Sequence, residues 1–248
     1  MAADPVEKEE GVIRTIPASC VIGTTWLSSF GARVAATGYS LGLMTVLYAL
    51  AAAASVVSPA AVYAYRETPV GVSPEVGMYG EPAVAAAFWR EQHASDCGEM
   101  AVADVVGQTT GREPTEQQIT AVAEDIPSTA KPGPIWKPSG FTDIRDLPIL
   151  LRHYGIRADN VQTDIDSLKR KLGTGHKVIA ILNAETIWNR LGKRDAGNHF
   201  VVVTGIDTKS GVVHLNDSAI TTGRDEKVSI ATFEEAWAPN YHSAIVTQ

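Results

Sequence analysis

Cys97, His199 and the Asn216-Asp217 pair are the residues of this chain whose types suit nucleophilic chemistry. Cys97 stands where a helix is expected to start, because Asp96 and Glu99 have the spacing of a capping box. A thiolate at a helix start lies beside unpaired backbone N–H groups and the positive end of the helix dipole. Both lower a thiol pKa and make a nucleophile. Gly98 allows close backbone approach. Taken alone, the same cysteine also fits a buried, inert role.

A thiol nucleophile needs a base, and six histidines are available: His93, His153, His176, His199, His214 and His242. His199 opens an apolar run, HFVVVTG, that reads as a strand returning through a hairpin. With a three-residue turn at 208–210, residue 207 pairs with 211 and His199 faces Ala219. Asp217 is then a diagonal neighbour on the face of His199, placed to accept from the ring Nδ1–H and stabilise its cation. Asn216 points the other way. A two-residue turn would reverse the two, so Asn216 is the alternative third member. Gln92, five residues before Cys97, is the candidate oxyanion donor, beside the Cys97 backbone N–H.

These residues need a scaffold, and the sequence supplies helices first and strands last. A helix runs from Cys97 to the stop at Gly111. A second begins at the capping box of Thr115 and Gln118. A third ends at Gly155 and a fourth at Gly173. Strands are expected at 177–183, 199–207, 212–217, KVSI (227–230) and the C-terminal HSAIVTQ, with a helical turn over TFEEAWA. The class is α+β with a mostly antiparallel sheet.

The 248 residues are 45% hydrophobic and 20% charged, which excludes general disorder. A net charge of −7 excludes a nucleic-acid binder led by a basic surface, and no metal or cofactor constellation stands out. No Asp, Glu, Lys or Arg occurs between Arg33 and Arg66. Within that gap residues 40–58 read as a transmembrane or signal-anchor helix, after a polar segment at 1–39. A Pro/Gly linker is expected at 59–82 and the globular domain at 83–248. A membrane partner through 40–58 and a domain outside the cytoplasm are therefore expected. Cys20 and Cys97 would lie on opposite sides and could not pair. An unpaired thiol in an oxidising space is a liability unless it is used.

The order Gln92, Asp96-Cys97-Gly98, the His199 strand and Asn216-Asp217 resembles the papain-like cysteine peptidases. Within them it is most similar to the bacteriocin-processing, double-glycine-leader peptidase-like family and its bacterial relatives, over roughly 88–246. The resemblance implies a papain-like fold, thiol catalysis and a peptide or protein substrate. It implies Cys97 as nucleophile, His199 as base, Asp217 as third member and Gln92 as oxyanion donor. Glu99 and the absence of a proline after Asp217 depart from the family pattern, and the double-glycine specificity does not carry over. Two other readings use the same residues: a peptide-binding module with little turnover, and an acyl transferase or amidase.

Overall fold

The computed structural model describes residues 77–138 and 140–248. The segment at 1–39, the span at 40–58, Cys20 and the linker up to residue 76 lie outside the described residues. Among the described residues, no helix is long and apolar enough to cross a membrane.

One antiparallel sheet holds seven strands: β1 (Met78–Gly80), β2 (Ala158–Gln162), β3 (Val178–Leu182), β4 (His199–Asp207), β5 (Val212–Asn216), β6 (Glu226–Ser229) and β7 (Ser243–Thr247). Their order is β2-β7-β3-β4-β5-β6. β4 is central. β5 takes one edge; the other is shared by β3, against His199–Val203, and β1, against Gly205–Asp207. The helices are α1 (Pro82–Ala85), α2 (Cys97–Thr110), α3 (Glu116–Asp125), α4 (Leu147–His153), α5 (Ile165–Gly173), α6 (Ala184–Ile187) and α7 (Ile230–Trp237).

The sheet is buried on both faces. Phe200, Val202, Ile179 and Ile181 join α2 and α4 in one core. Val201, Val203, Ala180 and Leu182 join α5 and α7 in the other. Two buried faces explain why KVIAIL and HFVVV are continuous apolar runs and not alternating ones.

Local signals held where they were local. The capping box of α3 forms: Thr115 N–H donates to Gln118 Oε1 and Gln118 N–H to Thr115 Oγ1. An N-cap of this kind stabilises a helix by about 1 kcal/mol. α2 starts at Cys97 and stops at Gly111, whose φ of 74° suits glycine. The expected capping box of α2 does not form. Asp96 makes no side-chain cap bond, and Glu99 instead accepts from the Thr142 hydroxyl. The domain boundary at 83 also needs correction, because Met78–Gly80 pair with β4 and belong to the sheet.

The hairpin register comes out as expected, by a different route. Asp207 pairs with Val212, so the turn has four residues, 208–211. The Asp207 carboxylate holds it by accepting from the backbone N–H groups of Lys209 and Ser210. A bulge at Thr204 then shifts the pairing, so that Val203 faces Leu215 and Val202 faces Asn216. Longer turn and bulge cancel. Continued from Val202↔Asn216, the register leaves Asp217 on the face of Val201 and His199.

Candidate active site

Cys97 is the first residue of α2 and His199 the first of β4. Both are buried, at 0% and 2% exposure. The two starts are laid side by side because Gly98 sits tightly against Phe200. A Cβ there would stand 3.3 Å from the Phe200 ring and 3.2 Å from Leu147. A side chain at this position would require Leu147 and Phe200 to give by a few tenths of an ångström.

His199 Nε2 lies 2.8 Å from Asp217 Oδ1. The acid therefore binds Nε2, not the Nδ1 expected from sequence. Nδ1 is then the ring nitrogen whose chemistry can serve a thiol. Asp217 is completely buried, and its other hydrogen bonds fix it. The Ala219 N–H donates to Oδ1 at 2.8 Å, and Trp188 Nε1–H donates to Oδ2 at 2.9 Å. Burial alone would raise the Asp217 pKa. The charge of His199 and these hydrogen bonds outweigh it and hold the carboxyl below its ordinary value.

Trp188 is a site residue that the sequence did not reveal. Its ring lies 5.0 Å from that of His199 while its N–H holds Asp217, so it covers the contact and fixes it at once. Trp89 Nε1–H donates to the Asp217 carbonyl at 2.6 Å. Gly223 completes the support: its N–H and carbonyl close the loop after Asp217, and a Cβ there would run into the Asp217 carbonyl oxygen. Nothing local marks these residues, since the chain brings Trp188 and Trp89 to Asp217 from far away.

Asn216 goes to the opposite face. Its Nδ2 donates to the Ala85 carbonyl at 2.9 Å and to Asp104 Oδ2 at 2.7 Å. It ties the end of β5 to α2 and does not reach His199. Burial, against hydrogen bonds from Gln108 and Asn216, pushes Asp104 up to about 7. The alternative third member thus braces the strand that leads to Asp217 against the helix that carries Cys97.

Gln92 is anchored to the loop after Asp217. Its backbone N–H donates to Ser218 O, and Ser218 Oγ–H donates to its Oε1 at 2.7 Å. Nε2 donates one hydrogen to Ala94 O at 2.8 Å. The remaining histidines are placed elsewhere. His93 is exposed and paired with Glu116 at 2.6 Å, His214 with Asp225 at 2.6 Å. His176 contacts Thr247 O, His242 lies against Trp237 and His153 against Tyr154.

A family model described as Peptidase_C39 like family matches residues 84–245. Uncharacterized proteins of Mycobacterium bovis and Mycobacterium tuberculosis are each 46% identical over 195 residues, covering 68% of this chain and 84% of theirs. Among solved structures, one described as a C39-like peptidase from Bacillus anthracis superposes with a TM-score of 0.51 at 20% identity. It covers 64% of this chain and 93% of that one, a likeness of fold.

Proposed function

This chain belongs to the Peptidase_C39 like family, and from that premise we propose that it is a cysteine peptidase. Cys97 is the nucleophile, His199 the base, Asp217 the residue that orients His199, and Gln92 the oxyanion donor. The observation that carries the reading is the buried His199–Asp217 contact, made through Nε2 beside the start of α2. With Nε2 engaged by Asp217, Nδ1 is the ring nitrogen that acts on the Cys97 thiol. His199 takes the thiol proton and Sγ attacks the carbonyl carbon of a peptide bond. Gln92 and the Cys97 N–H stabilise the oxyanion. The C–N bond breaks as His199 gives its proton to the departing amine. Water, deprotonated by His199, then hydrolyses the thioester.

Gln92 separates binding from catalysis. Gln92→Ala is expected to lower turnover of a cleaved peptide by roughly 10²-fold or more. Alkylation of Cys97 by iodoacetamide should stay close to the wild-type rate, since that reaction builds no oxyanion. Peptide turnover and alkylation rates, measured on the same preparation, decide it. Unchanged turnover would remove Gln92 from the mechanism.

We also propose that the domain works outside the cytoplasm, tethered or exported through residues 40–58. The support is the charge-free stretch between Arg33 and Arg66. A reporter active only after export, fused at residue 70, should give signal. A reporter active only in the cytoplasm, bright at that junction, would overturn the proposal.

A further inference from the structure

We infer that Glu226 is a positioning residue behind the catalytic pair, sharing one proton with Asp217 and so setting the charge that His199 faces. The inference rests on the reading above, in which His199 and Asp217 serve Cys97.

Glu226 opens β6 and pairs with Leu215 of β5. Leu215 lies two residues before Asp217, so Glu226 leaves the sheet on the same face as Asp217, one diagonal step away. Its Oε2 is buried, and no N–H or O–H of another described residue donates to it. The carboxyl of Asp217 stands on the same face, and its charge acts on Glu226. Two buried carboxyls that act on each other, one of them with an oxygen that no donor meets, do not both ionise freely; one keeps a proton. Asp217 already accepts from His199, Ala219 and Trp188. Those donors favour its ionised form, so the proton belongs to Glu226.

The surrounding charges agree. Burial and the Asp217 carboxylate push Glu226 up to about 7, with His199 acting in the opposite direction. Its neighbours are engaged elsewhere. Asp225 pairs with His214 and Lys227, and Arg224 lies over the Trp89 ring. On α7, which packs against β6, Glu235 faces Arg194 and Glu234 stands next to it.

The consequence is a pH-dependent strengthening of the site. Below about 7, Glu226 is neutral and leaves Asp217 as the negative charge behind His199. Above it, ionised Glu226 adds a second negative charge behind His199. That charge favours the imidazolium, and with it the Cys97 thiolate.

Infrared difference titration of the full chain tests the proton directly, whether or not the protein cleaves peptides. Asp104 and Glu113 are also pushed up to about 7, so the wild type is read against Glu226→Gln, and the difference should isolate a protonated-carboxyl C=O component that vanishes with a midpoint near 7. That component alone should be missing from Glu226→Gln, and in Asp217→Asn its midpoint should move down towards the ordinary carboxylate range. The second arm is iodoacetamide alkylation of Cys97. The wild-type rate should step up by about three- to tenfold as pH rises through the same region. That step should be missing from Glu226→Gln, which keeps a donor but cannot ionise. A Glu226→Gln carboxyl spectrum identical to that of the wild type through this range, or a Glu226→Gln rate that keeps the step, overturns the inference. Should Glu226→Gln fail to fold, the wild type and Asp217→Asn still decide by infrared. A band that behaves as expected, with no alkylation step in the wild type, would leave the proton in place and defeat the positioning role. Failure of the peptidase reading itself shows separately, as alkylation that is indifferent to His199→Ala.

Discussion

Cys97→Ala is expected to abolish peptide cleavage and electrophile labelling of the domain together. No other thiol lies in residues 77–248, because the second cysteine of the chain is Cys20. The alanine variant should fold, since it removes one sulfur from a core otherwise held by Ile, Leu and Phe side chains. Its cost is that of a small cavity, about 1–2 kcal/mol. Loss of activity therefore reads as loss of the nucleophile, with thermal unfolding as the control. Chromatography and mass spectrometry of a mixed peptide library, incubated with each protein, provide the measurement. Cleavage at the wild-type sites by the variant would end the cysteine-peptidase reading.

His199→Ala should cost nearly as much, at least about 10³-fold in turnover, because nucleophile and base act as one unit and their losses do not add. No other histidine is placed to replace it. His93 is turned outward to Glu116, His214 is engaged by Asp225, and His176 is held by the Thr247 carbonyl. The variant should also slow alkylation of Cys97 near neutral pH, since the imidazolium that stabilises the thiolate is gone. The same library and an iodoacetamide time course measure both effects. Turnover within tenfold of wild type would mean that another group takes the thiol proton.

Much of this site was legible because its parts are local. The start of α2 at Cys97, its stop at Gly111 and the capping box of Thr115 and Gln118 are written in adjacent residues. The placement of Asp217 was legible for a less secure reason. The expected three-residue turn is absent, and a bulge at Thr204 restores the same register near the site. A bulge leaves no mark in an apolar run, so neither deviation was visible. β1 is three residues in a Pro/Gly-rich stretch, and β2, with the sequence ADNVQ, is a polar edge strand; neither carries a hydrophobic period. Trp188, Trp89 and Glu226 reach Asp217 only through tertiary packing. The choice of Nε2 over Nδ1 is likewise a matter of tertiary placement, which no local pattern encodes.

Capture of an acyl-enzyme tests the central claim most directly. The protein is mixed with a set of peptidyl esters, quenched in acid, digested and mapped by mass spectrometry. The expected result is a hydroxylamine-labile acyl group on Cys97 that turns over in water and does not form in His199→Ala. Peptide cleavage without any acyl group on Cys97, or acylation of a different residue, would contradict the account.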